Sequence, residues 1–204
     1  VVVGGIPAAT DLVAGEKERN TFEPLLTTKP DRASILLGKY LTVTLFSFVS
    51  VISIVIGFVI GYMINPNSLT MGTEAQISGL DIPPLALLLA ILIAIALGMT
   101  FAGIQIALST YARSFKEAQT YLSFLMIVAM IPGYATMFTQ PSDIQMSMYF
   151  IPVINTISAF KMILGGTINY TNLIAALLSS IVYVAITLVV ATSMFNKEKV
   201  LFRS

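Results

Sequence analysis

Long uncharged hydrophobic runs alternate with short polar connectors along this chain. Four runs are long enough to cross the hydrocarbon core of a bilayer as helices, which takes about 20 residues. They cover residues 40–64, 85–112, 120–138 and 172–195, and none contains Asp, Glu, Lys or Arg. Residues 1–13 are also mostly apolar and predict the end of a further transmembrane helix. The pattern therefore predicts an all-α, polytopic membrane helix bundle.

The composition agrees with a membrane protein. Of 204 residues, 56% are hydrophobic and only 10% are charged, whereas soluble domains average about 25% charged residues. The chain contains no Cys and no His, which excludes disulfides, thiolate or imidazole metal sites and Cys- or His-dependent nucleophilic catalysis. We therefore expect no metal site, no cofactor and no enzymatic activity in this chain. Because it begins inside an apolar stretch, we expect it to be the C-terminal part of a longer protein.

Basic residues are distributed unevenly among the connectors. If every run crosses the membrane, ten of the 11 Lys and Arg residues lie on one side. The connectors on that side are residues 14–39, 113–119 and 196–204. The connectors on the other side, residues 65–84 and 139–171, contain Lys161 as their basic residue. The positive-inside rule places the first group, including the C-terminus, in the cytoplasm of a cell-membrane protein.

The connector at residues 139–171 differs from an ordinary outer loop. It contains two apolar pieces, residues 144–153 and 157–164, separated by Asn155 and Thr156. Each piece is too short to cross a bilayer. We therefore predict a re-entrant or interfacial segment on the outer side, with Lys161 extending to the headgroups.

The connector at residues 15–39 reads GEKERNTFEPLLTTKPDRASILLGK and is densely charged with both signs. Thr21 suits a helix N-cap, and Pro24 then falls in the first turn, where its missing N–H does no harm. Phe22, Leu25 and Leu26 would share one face of that helix. A short apolar face among charges suits a groove on a soluble partner. An amphipathic helix lying in the headgroups would have the same pattern, so both interpretations stay open from the pattern alone.

This connector resembles the signature of type-2 ATP-binding-cassette (ABC) permeases, which runs GEKE(R)-x-T-x-E-x-L-L, then a Pro and a closing Gly-Lys. Residues 15–26 read GEKERNTFEPLL, and Pro30, Gly38 and Lys39 follow. The order of the later segments is also similar, including an Ile-Pro-x-x-Asn element at residues 151–155. The sequence EKERNTFEPLL, at residues 16–26, is most similar to that of permeases in the sodium-efflux branch of the family.

The resemblance implies the C-terminal part of a six-helix exporter subunit with a re-entrant outer segment. It implies a separate ABC ATPase that binds ATP and Mg, and this chain has no G-x-x-x-x-G-K-[ST] motif of its own. It also implies a second permease copy, identical or similar, within the lipid bilayer, and no nucleic acid. The candidate contacts with the ATPase are Glu16, Glu18, Arg19, Thr21, Phe22, Glu23, Leu25 and Leu26.

The substrate and the transport class have alternatives. The branch implies outward movement of Na+, and the alternative is export of a drug, lipid or peptide. A channel or secondary carrier without an ATPase is more distant, because the four runs contain no carboxylate of the kind such carriers commonly use. Hydroxyl and amide groups within the runs either line a path or pack helices together. These residues are Ser47, Ser50, Ser53 and Gln105.

Overall fold

A computed structural model describes residues 2–19, 21, 31–64, 83–140, 143–164 and 167–195; within 31–64, the side chains of residues 54, 55, 58, 59, 61 and 62 lie outside the description. The regular elements of the described part are all helical. They are α1 (Val2–Ala9), a π-helical segment (Thr10–Gly15), α2 (Glu16–Glu18), α3 (Arg32–Ile64), α4 (Pro84–Tyr111), α5 (Phe115–Ala135), a 3-10 turn (Met146–Phe150), α6 (Ile154–Leu164) and α7 (Tyr170–Phe195).

Four of these helices, α3, α4, α5 and α7, are long and apolar enough to cross a membrane. They correspond to the four uncharged runs, so the predicted all-α, polytopic membrane bundle is confirmed. Helix α3 begins at Arg32, well before the uncharged run at residue 40. The Asp31 carboxylate accepts a hydrogen bond from the Ser34 backbone N–H at 3.3 Å, which caps the helix at this earlier position.

Helices α4 and α7 form the most extensive pair in the bundle. Their close approach depends on Gly103 of α4, where an added Cβ would lie 2.8 Å from the Thr187 Cβ of α7. Small residues at such crossings let membrane helices pack tightly. Helix α1 packs against α3 and α4, and a hydrophobic cluster that includes Ala9, Tyr40 and Ile106 joins the three elements.

One end of the bundle is closed by the 3-10 turn and α6, which pack against α4 and α7. Helix α6 has 11 residues, too few to cross a bilayer. The Lys161 ammonium donates to the carbonyl oxygens of Met137 at 3.3 Å and Thr139 at 3.0 Å, and also to that of Thr136. Lys161 therefore binds carbonyl groups of the turn that follows α5.

Candidate functional site

The other end of the bundle, which we call the basic end, contains Lys17, Lys39, Arg113 and Lys116. The described part of the signature, residues 15–19 and 21, lies there. Helix α1, the π-helical segment and α2 follow one another without a break, so the signature begins as a direct extension of a helix of the bundle. Its side chains contact three neighbouring helices, α3, α4 and α5.

Glu16 joins the signature to α3. Its carboxylate forms an ion pair with the Lys39 ammonium, which also donates to the Leu12 carbonyl oxygen. The Lys39 side chain is only 7% exposed and that of Glu16 is 25% exposed. A buried ammonium is stable only when it is paired and hydrogen-bonded. The pair therefore fixes the signature to the start of α3.

Lys17 joins the signature to the end of α4. Its ammonium donates to the Thr110 carbonyl oxygen and, at 3.4 Å, to that of Ala112. Carbonyl groups at a helix C-terminus carry partial negative charge and favour a cation. Burial lowers the pKa of Lys17 to about 8, and the nearby Glu117 carboxylate opposes part of that shift.

Glu18 joins the signature to the start of α5. Its carboxylate accepts a hydrogen bond of 2.8 Å from the Phe115 backbone N–H, where the positive end of the helix favours an anion. Helix α5 also has side-chain caps at its own start. The Ser114 hydroxyl accepts from the Glu117 N–H at 3.3 Å, and the Glu117 carboxylate accepts from the Arg113 N–H at 2.7 Å. The negative end of α4 and the positive end of α5 thus both bind the signature.

The remaining described signature residues face outward. Arg19 pairs with Asp11 at 3.0 Å, with side-chain exposures of 67% and 53%. The Thr21 hydroxyl is exposed and donates to the Glu16 carbonyl oxygen at 3.2 Å. Four predicted contacts, Phe22, Glu23, Leu25 and Leu26, lie outside the described residues. The assignment of an ATPase-docking face therefore stays a prediction.

Sequence reasoning did not select Lys17, Lys39 or Glu117 as site residues, although each has a structural contact here. Lys39 is the Lys of the closing Gly-Lys of the signature. That motif identifies the family but does not predict which groups the Lys39 side chain contacts. A depression of about 290 Å³ lies beside these contacts. Its lining residues are Gly15, Glu18, Arg19, Phe115 and Lys116.

The three serines in the uncharged part of α3 donate to their own helix. Ser47, Ser50 and Ser53 each bond the carbonyl oxygen four residues earlier, at 3.0, 3.0 and 2.8 Å. Two of them also meet α1 closely. A Cβ on Gly4 would lie 2.2 Å from the Ser50 hydroxyl oxygen, and one on Gly5 would lie 2.7 Å from that of Ser47. These contacts are those of helix packing.

Gln105 of α4 is fully buried and also faces α1. Its amide N–H donates to the Val2 carbonyl oxygen at 2.6 Å. Among the described residues its amide oxygen has no hydrogen-bond partner, and it lies where a Cβ on Gly5 would come within 2.3 Å. The absence of a side chain at Gly5 thus makes room for the amide, and Gln105 holds α4 against α1.

The comparisons with known proteins agree with this architecture. A family model described as "ABC-2 family transporter protein" matches residues 1–200. The chain is 26% identical over 199 residues to the ABC transporter permease protein NatB of Bacillus subtilis (strain 168), which covers 98% of this chain and 50% of that protein. The chain thus spans about half the length of this relative. No solved structure matches it. The chain belongs to the ABC-2 family of transporter proteins, and the family recognised from the signature is confirmed.

Proposed function

We propose that this chain is part of the membrane permease of an ABC exporter, and that a separate ATPase subunit docks on residues 15–26. The ATPase binds ATP with Mg and closes as a dimer. Its movement displaces the signature, and the membrane helices tilt to open a route outward. Two copies of the permease, identical or similar, form that route. The chain itself hydrolyses nothing.

The observation that carries this proposal is the set of contacts at the basic end. Glu16, Lys17 and Glu18 contact α3, the end of α4 and the start of α5, respectively. A force applied to this short segment would act on all three helices at once. A solvated loop resting on lipid would need no such contacts, so this arrangement favours the ATP-driven exporter over a channel or carrier.

The proposal places residues 14–39 and the C-terminus in the cytoplasm. This chain has no Cys, so Ser78→Cys and Ser204→Cys can be labelled singly in a full-length permease whose remaining part has been freed of Cys. A membrane-impermeant maleimide added outside cells should label position 78, and position 204 should react only after the membrane is opened. Labelling of both positions from outside would refute this orientation.

Docking is tested by replacing Leu25 and Leu26 together with Asp in the full-length permease co-expressed with its ATPase. Carboxylates on the docking face should abolish co-purification of the ATPase and ATP-driven transport, because they cannot enter an apolar groove. Membrane insertion should be retained. The matched control makes the same change at Met137 and Phe138, which are 63% and 90% exposed at the opposite end. Undiminished co-purification from the Leu25/Leu26 variant would contradict the docking assignment.

The substrate is proposed as Na+ from the resemblance of the signature to the sodium-efflux branch. The four uncharged runs offer hydroxyl, carbonyl and amide oxygens and no carboxylate. Burying a cation without a counter-charge is costly, so Na+ would need a hydrated path or acidic groups from elsewhere in the permease. A drug, lipid or peptide would need neither, and this is the second candidate.

Vesicles containing the full permease and its ATPase separate the two substrates. ATP-driven movement of ²²Na+ that ends when the ATPase is inactivated would support sodium export. Absence of that flux, together with stimulation of ATP hydrolysis by a hydrophobic compound, would favour the second candidate.

A further inference from the structure

The helix that leads into the signature leaves the α-helical register just before Glu16. Thr10–Gly15 is π-helical, between α1 and α2. A π-helix pairs each backbone N–H with the carbonyl five residues earlier, and such segments are rare and frequent at functional sites. The segment acts as one residue inserted into an α-helix. The residues that follow are therefore rotated relative to a continuous helix.

A single hydroxyl from α4 contacts both ends of one such pair. The Ser109 hydroxyl donates to the Ala9 carbonyl oxygen at 2.8 Å and accepts from the Ala14 backbone N–H at 3.3 Å. Ala9 and Ala14 are five positions apart, which is the spacing of a π-helical bond. All three residues are fully buried. Water is therefore not available to make these bonds in place of the hydroxyl.

A second side chain binds a carbonyl group within this segment. The Glu16 N–H bonds the Val13 carbonyl oxygen, so the Leu12 carbonyl, four residues before Glu16, lacks its usual α-helical donor. The Lys39 ammonium donates to that oxygen. The register of this segment is thus supported by α4 and α3, which are distant in sequence.

We propose that Ser109 is a positioning residue that fixes the π-helical register of Thr10–Gly15 and so sets the face that the signature presents. This inference rests on the proposed docking of an ATPase at the signature. A return to the α register would rotate every later residue by about 100° around the helix axis, since an α-helix has 3.6 residues per turn. Glu16 and Glu18 would then no longer face Lys39 and Phe115.

The test uses a cross-link that depends on this rotation. Arg19 and Lys116 line the same depression. This chain has no Cys, and any Cys in the remainder of the permease is replaced first. The full-length permease carrying Arg19→Cys and Lys116→Cys, in native membranes, should be cross-linked efficiently by a short bis-maleimide. Adding Ser109→Ala should lower the yield several-fold. The matched control, Thr100→Val, removes another buried hydroxyl of α4, which bonds the Ala96 carbonyl oxygen of its own helix at 2.8 Å, and should leave the yield unchanged.

Amide hydrogen exchange separates a change of register from general loosening. In the Ser109→Ala variant, exchange should rise at residues 10–16 and stay unchanged along α4 and α7. An unchanged cross-link yield in Ser109→Ala would overturn the proposal. An equal fall in Thr100→Val, or faster exchange throughout the bundle, would also overturn it, because either would assign Ser109 a general packing role.

Measurements on the same samples distinguish a failure of this inference from a failure of the proposed function. The cross-link and the exchange pattern are measured on the permease without any ATPase. Failure of the parent permease to bind the ATPase would refute the proposed docking and leave the register result standing. If docking is correct, Ser109→Ala should also reduce ATPase co-purification several-fold, whereas Thr100→Val should not.

Discussion

The two ends of this bundle are held together by different chemistry. At the basic end, charged side chains bind helix termini and each other, as Glu16 does with Lys39 and Glu18 with the Phe115 N–H. At the opposite end, the centre of the contacts is a neutral amide. Asn155 donates to the Ser180 hydroxyl at 2.8 Å and the Ser179 hydroxyl at 3.3 Å, and accepts from the Thr156 N–H at 2.7 Å.

The difference indicates which end is suited to rearrangement. Asn155 is buried at 1% exposure, so breaking its bonds leaves polar groups without partners in an apolar environment, which is costly. Glu18 and Arg19 are exposed, and water can replace their partners at little cost. We therefore expect the Asn155 end to remain fixed while the exposed contacts of Glu18 and Arg19 at the basic end are exchanged during transport.

The largest effect is expected from Lys39→Met. Removing one partner of a buried ion pair leaves the other charge uncompensated. We expect a loss of about 3 kcal/mol in the free energy of unfolding, at the low end for buried pairs because Glu16 is partly exposed. The measurement is the unfolding midpoint in mixed micelles. Lys116→Met makes the same change at an exposed lysine and should change stability by less than about 0.5 kcal/mol.

A double-mutant cycle assigns that loss to the pair. Glu16→Gln in the Lys39→Met background should cost less than Glu16→Gln alone, because the partner of Glu16 is already missing. Equal losses in Lys39→Met and Lys116→Met would show that the basic end does not depend on this pair.

Asn155→Ala should have the next largest effect. The Ser180 and Ser179 hydroxyls lose a donor, and the expected loss in stability is about 1–2 kcal/mol. Gln145→Ala removes an amide from an exposed position in the same region and serves as the control. Because Asn155 belongs to the fixed end, ATPase co-purification should be unchanged. If Asn155→Ala had normal stability but no longer bound the ATPase, the Asn155 end would not be the fixed end of the bundle.

The membrane helices could be predicted from the sequence, whereas the side-chain contacts of Ser109 and Lys39 between them could not. The four membrane helices follow from uncharged runs of sufficient length, since a bilayer requires that pattern. The position of Asn155 between two short apolar pieces was also visible. The partners of Ser109 and Lys39 were not, because those contacts form only when α1, α3 and α4 pack together. A single Ser in an apolar helix usually bonds its own backbone, as Ser47 does, so no local signal separates the two cases.

A smaller effect concerns the protonation of Lys17. Burial lowers its pKa from 10.5 to about 8, so acylation of Lys17 by a small reagent should show a midpoint near pH 8. Glu117→Gln should move that midpoint lower, because the Glu117 charge favours the protonated form. Between pH 8 and 10.5 the unfolded chain holds this proton and the folded chain does not, so this group makes the free energy of unfolding rise with pH in that window. A midpoint near 10.5 would contradict the burial of Lys17.

The smallest effect is expected at the outermost contact of the basic end, the pair of Arg19 with Asp11. Both side chains are more than half exposed, and exposed pairs contribute about 0–1 kcal/mol. Arg19→Ala should therefore leave the unfolding midpoint nearly unchanged. If Arg19 is a docking residue, ATPase co-purification should nevertheless weaken, and it should weaken less in high salt because salt already screens a charged contact. Asp11→Asn is the matched control, since it breaks the same pair and keeps the Arg19 charge for the partner. Equal loss of ATPase binding in the two variants would mean that the pair acts through the structure of the signature and that Arg19 makes no contact of its own.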